Sequence, residues 1–340
     1  MSDNINFYSC GISENFKENN PLTHFYFLNG ADLSQKGQCI AVIADVLGEK
    51  NAELYFSPFD DNLPCAAFFP RLNAFIGSDC SGIPSNSLNC RYYDIGCVIT
   101  SNPLPIREVV GYTFSQSNLY AEKSLQFITI ADLLLKELRR ISREALIRSR
   151  LEAYASRKLS SFLSKINKSG YLRYKSISAI CPYGYKFADI PQNYKVILLK
   201  DELISASVLF VKYASEYAQK LGFDVIISKA VDSPNSPLHL IIPEAKIIFI
   251  SESKIFPCGL NGEKFNLNRY YEDCSASASV HHIEFLSEYI SKIYSESAVY
   301  ASISCDIKNQ GRKILLPFIN DSPIGDIASD IIFDITNNCD

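Results

Sequence analysis

The sequence predicts an α/β protein of two tandem units, each a mostly parallel sheet covered by helices. Three observations predict it. The chain has 340 residues, enough for two ordinary domains with separate cores. The same order of apolar segments occurs twice. In each copy a short β-rich run is followed by a polar loop, a helical stretch and further strands, the order of a helix-covered parallel sheet.

In the first copy, HFYFLNG (24–30) reads as a strand and CIAVIADVLGEKN (39–51) as helix, with Gly48 as its stop. AELYFSPFDD (52–61) is the next strand, and LPCAAFFPRLNAFIGSD (63–79) turns at Pro70 into a third, ending on Asp79. The second copy repeats this as YKVILLKD (194–201), LISASVLFVKYASEYAQKLG (203–222), FDVIISKAVD (223–232) and SPLHLIIPEAKIIFISE (236–252). Pro70 and Pro243 are 243 − 70 = 173 positions apart, and Asp79 and Glu252 share that spacing. Ile204, Val208, Val211, Ala214 and Ala218 recur at helical spacing, and Gly222 stands where a C-terminal cap belongs. A long helix is expected over 124–166 and a matching one over 280–301. The polar break at Lys168, Ser169 and Gly170 sets the expected domains at 1–169 and 170–340.

A hydrophobic share of 47% with 21% charged residues predicts a folded globular chain rather than a disordered one. No apolar run is long enough for a membrane-spanning helix and the polar N-terminus is unlike a signal peptide, so a cytoplasmic protein without a membrane partner is expected. A net charge of −4 disfavours a nucleic-acid partner. The 11 cysteines form no C-x-x-C pair, which argues against a zinc ribbon or a disulfide scaffold.

A strand–loop–helix unit binds phosphate when its loop reads G-x-x-x-x-G-K-[ST]. The glycines let backbone amides converge on the anion, the lysine reaches the outer phosphates, and the hydroxyl ligates magnesium. The first copy has Gly30-Ala31-Asp32-Leu33-Ser34-Gln35-Lys36-Gly37, with the first glycine and the lysine in place. Gln35 stands for the second glycine and Gly37 for the hydroxyl, while Asp32 adds a charge that opposes phosphate. The nucleotide-binding candidates are Gly30, Ser34, Gln35, Lys36, Gly37 and Gln38; Asp79 is the metal candidate, and no catalytic residue is assigned. The second copy has Asp201-Glu202-Leu203-Ile204-Ser205-Ala206-Ser207-Val208, without glycine or lysine, and its helix is expected to start early and fill the loop.

The order of these segments resembles a family of uncharacterised bacterial ATPase-like proteins that carry two P-loop NTPase units in tandem. SPFDDNLPCAAFFPRLNAFIGSD and ISAICPYGYKF (177–187) resemble further segments of that family. The resemblance covers most of residues 1–300 and implies ATP and Mg2+ as cofactors. The altered first loop and erased second one mark a degenerate member, expected to be a non-catalytic binding or scaffolding module with a protein partner or self-association. The competing expectation is a residual ATPase or kinase-like phosphotransferase with Lys36 on the phosphates and Asp79 on magnesium. Glu252, Asp60, Asp61 and Asp232 are read chiefly as loop or turn acids, Arg139, Arg140, Arg143, Arg148, Arg150 and Arg157 as a solvated helix face, and His281 and His282 as structural.

Overall fold

The computed structural model describes residues 5–9, 24–30, 33–48, 52–78, 89–99, 104–229, 237–272 and 278–337. Two mixed sheets of six strands each carry the fold. The first is formed by β1 (Phe7–Tyr8), β2 (His24–Asn29), β3 (Glu53–Ser57), β4 (Asp60–Phe69), β5 (Ala74–Gly77) and β6 (Cys90–Asp94), in the order β1-β3-β4-β5-β2-β6. The second is formed by β7 (Leu172–Tyr174), β10 (Lys195–Lys200), β11 (Val225–Lys229), β12 (Pro237–Ile242), β13 (Ile247–Glu252) and β14 (Glu263–Asn266). Read from its β7 edge, its order is β7-β11-β12-β13-β10-β14. A separate hairpin pairs β8 (Ser178–Cys181) with β9 (Gly184–Phe187).

The two orders match strand for strand. In both sheets the second-to-third and third-to-fourth pairings are antiparallel and the other three are parallel. The register agrees as well: Ala66 faces Gly77 and Ala67 faces Ile76, while His239 faces Ile250 and Leu240 faces Phe249, all displaced by the repeat interval. A β-bulge recurs where Phe56 meets Pro64 and where Lys229 meets Pro237. Proline cannot donate to a ladder, so it is accommodated where the ladder is interrupted. The antiparallel β4 and β12 depart from the mainly parallel order that the sequence suggests, because the Pro-turn segments fold as hairpins.

The helices are α1 (Leu33–Leu47), α2 (Leu104–Glu144), α3 (Arg148–Phe162), α4 (Ser205–Lys220), α5 (Ala278–Leu315) and α6 (Ser322–Asn337). Gly48 and Gly222, expected as helix stops, have φ of 54° and 97°, the left-handed conformation that ends a helix and that side chains with a Cβ resist. The helix expected over 124–166 is two helices, broken at residues 145–147, where Leu146 bridges to Tyr271. The first of them starts at Leu104, well before the expected limit.

The compact units do not follow the halves expected from the sequence. Unit 1 comprises Met1–Glu122, Ala188–Pro191 and Tyr300–Asp340, and unit 2 comprises Lys123–Phe187 and Gln192–Val299. The physical reason is an exchange of covering helices. In unit 1, Ile324, Ala328, Ile331 and Ile335 of α6 share a core with Leu28, Ile40, Ile43 and Ile76, although α6 follows the second sheet in the chain. In unit 2, Leu151, Tyr154, Ala155 and Leu159 of α3 share a core with Ile197, Leu199, Phe210 and Phe249, although α3 follows the first sheet. Each buried isoleucine contributes on the order of 2 kcal/mol, so each exchanged helix is integral to the sheet it covers. Corresponding bridges mark the exchange: Ile99 pairs with Ile319 just before α6, as Tyr271 pairs with Leu146 just before α3.

Candidate functional site

In open α/β sheets, ligands bind at the carboxyl ends of the parallel strands, where helix N-termini present unpaired amides. Each unit has such an edge at the end of its first long parallel strand, β2 or β10. The two are built differently.

In unit 1, Gly30 ends β2 with φ of 71°. A Cβ there would lie 2.4 Å from Asp94 Oδ1 and 2.7 Å from the Gly96 amide nitrogen, so the glycine is required by the close approach of the β6 turn. Asp94 Oδ1 accepts the Gly96 N–H at 2.8 Å. Ala31 and Asp32 lie outside the described residues, and α1 begins at Leu33. Ser34, Gln35, Lys36, Gly37 and Gln38 are therefore helical rather than loop. Ser34 donates its hydroxyl to Gln35 Oε1 at 3.0 Å, Gln35 is buried, and Lys36 is half-buried. A Cβ on Gly37 would come within 2.7 Å of Leu63 Cβ, so this glycine lets α1 lie close against β4. Asp79 lies outside the described residues, as does Asp232.

In unit 2, the position equivalent to Gly30 is Asp201, 1% exposed at the end of β10. Its Oδ2 accepts the Ser207 N–H at 2.6 Å, and its Oδ1 accepts the Leu203 N–H at 3.2 Å and the Tyr271 hydroxyl at 2.9 Å. The Tyr271 oxygen in turn accepts the Ala206 N–H at 2.7 Å. A carboxylate of the chain itself thus occupies the place at the α4 N-terminus where a bound anion would sit. Burial pushes the Asp201 carboxyl above its ordinary pKa, against the lowering effect of the amide and hydroxyl donors. Burial, and next to it the Asp201 charge, raise the Tyr271 hydroxyl. The helix does not start early as the sequence suggests: α4 begins at Ser205, because Ile204 is held at φ of 65°. That backbone is strained for a β-branched residue, and the buried contacts of Ile204 with its core hold it there.

Two of the other acids lie near basic side chains. Glu252 ends β13 with Oε2 3.8 Å from Lys200 Nζ. Asp60 in unit 1 accepts from Arg312 at 2.5 Å, with Lys308 at 3.9 Å. The arginines expected on one solvated face separate: Arg139 is buried and its guanidinium is pushed down to about 10 by that burial, whereas Arg140 is exposed and bonds Glu137 and Glu144. His281 and His282 are exposed on α5, and no group of three metal-binding side chains occurs among the described residues.

Sequence reasoning missed a buried polar cluster in unit 2. His239 Nδ1 accepts the Ser251 N–H at 3.2 Å, which leaves the proton of the neutral ring on Nε2. Nε2 lies 3.1 Å from both Ser178 Oγ and Tyr185 Oη, and Tyr185 donates to Ser178 at 2.8 Å. Burial pushes the imidazole down to about 3. The available signal was a single histidine inside the apolar run PLHLII, where a charged ring has no place.

Compared with protein-family models, curated proteins and solved structures, the chain matches none. No helix among the described residues is long and apolar enough to cross a membrane.

Proposed function

We propose that this protein is a non-catalytic binding or scaffolding module of the cytoplasm, built from two degenerate P-loop-like units. The observation that carries the reading is the Asp201 carboxylate seated on the Ser207 and Leu203 amides. A triphosphate approaching that helix end would find the donors it needs already bonded to an acid of the chain itself. In unit 1, Asp94 adds a carboxylate beside Gly30, which opposes an anion at the end of β2. The P-loop ancestry is supported by the strand–loop–helix order in both copies, with β4 and β12 entering as hairpin additions to a parallel sheet. Residence in a reducing compartment is supported by the free thiols of the described cysteines.

Isothermal titration of the full chain with ATP and Mg2+ tests the reading. The expected outcome is no heat of binding at ligand concentrations up to about 1 mM. Micromolar binding that disappears in a Lys36→Ala variant would establish a working site in unit 1 and overturn it.

A further inference from the structure

The outward faces of the two helix layers differ in charge. In unit 2, α3 and α4 expose Arg148, Arg150, Arg157, Lys212 and Lys220, with Glu216 as the opposing acid. In unit 1, α1 and α6 expose Asp45, Asp326 and Asp330, and α6 contains neither lysine nor arginine. Beside these aspartates Phe333 is 67% exposed and Val46 62% exposed. Two features show that folding alone does not account for the pattern. Arg148 and Arg150 sit in the first turn of α3, where the helix dipole disfavours positive charge. Phe333 projects from a helix whose apolar needs are already met by Ile324, Ile331 and Ile335.

We infer that these faces meet between copies of the chain, the basic α3–α4 face of one protein docking on the acidic, Phe333-bearing α1–α6 face of the next. The inference rests on the scaffolding reading and names its partner as a second copy. Charge complementarity selects this occupant: the aspartates match the guanidinium groups, and an exposed phenyl ring among them is a platform on which arginine stacks. Aromatic and arginine side chains are the usual anchors of such contacts. Because the two faces belong to different units, the contact is heterologous. A bound pair still presents one free face of each sign, one on each copy, so assembly continues into a ring or an open chain.

Sedimentation velocity on the full-length protein tests it. At ~50 mM salt the weight-average mass is expected to rise with protein concentration, and at ~500 mM salt the association weakens at least about tenfold. An Arg150→Glu/Arg157→Glu variant and an Asp326→Lys/Asp330→Lys variant should each stay monomeric. Mixed in equal amounts they should form a 1:1 dimer, since each retains the face the other lacks. The milder Arg150→Gln/Arg157→Gln variant, with a wild-type circular dichroism spectrum, guards against misfolding and should also weaken association. A wild-type protein that is monomeric at both salt levels, or variants that fail to pair on mixing, would overturn the inference. So would a monomer whose basic face instead retains a labelled DNA duplex and loses it in Arg150→Glu/Arg157→Glu. ATP–Mg2+ added to the same samples separates the two claims. Assembly that needs nucleotide would remove the non-catalytic reading and leave the charged contact standing, while nucleotide-indifferent monomers would do the reverse.

Discussion

The loop after β2 and the loop after β10 occupy the same position of a repeated unit, yet they solve the helix-end problem in opposite ways. Unit 1 places a glycine on the strand and lets a carboxylate from the neighbouring strand, Asp94, crowd against it. Unit 2 places the carboxylate on the strand itself, as Asp201, and has Asn266 at the position equivalent to Asp94. Both Asp94 Oδ1 and Asn266 Oδ1 accept the amide two residues later, from Gly96 and Asn268. The strand-edge turn has therefore been kept while the acid has moved from one strand to the next. What differs is burial. Asp201 satisfies an interior helix end, whereas the Asp94 bond is exposed.

The largest test of the comparison removes an exchanged helix. Ending the chain before Ser322 deletes α6 and uncovers Leu28, Ile40 and Ile76. With three buried isoleucines lost, each worth about 2–5 kcal/mol, unit 1 should lose its cooperative fold. Hydrogen exchange should then show unprotected amides in β2 and β5 and retained protection in β10 and β13. Equal loss in both sheets would mean that the units do not hold their cores separately.

Next in size is Asp201→Ala, which strands the Ser207 and Leu203 amides and the Tyr271 hydroxyl in the interior. The expected cost is about 3 kcal/mol in denaturant unfolding, against less than about 1 kcal/mol for Asp94→Ala. Formate should restore part of the loss by entering the vacated anion position. Equal costs for the two substitutions would show that the loops do the same work.

Much of this architecture was legible in the sequence, for a definite reason. Pro70 and Pro243, Gly48 and Gly222, and the apolar strand segments of each copy are local constraints, and local constraints recur visibly when a unit is repeated. The exchange of α3 and α6 was not legible. An amphipathic helix shows that it must bury a stripe, but nothing in its own periodicity says which of two similar sheets will receive it. Phosphate-site reasoning likewise identified the residues of both loops without finding Asp201 as their occupant. A buried acid and a solvated acid are written with the same letter, and only packing by Tyr271 and Ile204 separates them.

A third test uses pH to tell the sheets apart. His239 in β12 corresponds to Ala66 in β4, so only unit 2 carries the buried imidazole. Its folded pKa, about 3, is depressed below the ordinary histidine value, so its contribution is full above that value and is lost as pH falls toward the folded one. From about pH 7 to about pH 5 the loss should be about 2 kcal/mol, because the unfolded chain binds the proton that the folded chain refuses. Asp201, whose pKa is raised, works in the other direction, with its contribution present at low pH and lost as pH rises through its folded value. The histidine's contribution is therefore read as the difference in pH slope between wild type and His239→Leu. Identical slopes would mean that the imidazole is not sealed from protons.

The smallest expected effect concerns a residue paired with its own counterpart in the repeat. In unit 2, Ser124 of α2 and Ser297 of α5 are fully buried and share a hydroxyl contact of 2.9 Å, with Ser297 also donating to the Ser124 carbonyl at 3.0 Å. Ser297 lies 297 − 124 = 173 positions after Ser124, the repeat interval, so a residue is paired with its own counterpart. An antiparallel pairing of two repeated helices is what brings a position onto its own counterpart. In unit 1 the next contact along these helices joins Ser117 and Ser304, each donating to the other's carbonyl at 2.8 Å. If small hydroxyls were retained there to let the helices approach, Ser124→Ala and Ser297→Ala should each cost about 1 kcal/mol. The double variant should cost clearly less than the sum, since no polar side chain is then left unpaired. In the Ser117–Ser304 cycle each single variant also loses its own bond to the opposite carbonyl, so the single costs should be larger there, while the coupling reads only the hydroxyl contact of 3.1 Å and should not exceed that of Ser124–Ser297. Additive costs at both pairs would sever the hydrogen bonds from the packing, and the helices would then be held by shape alone.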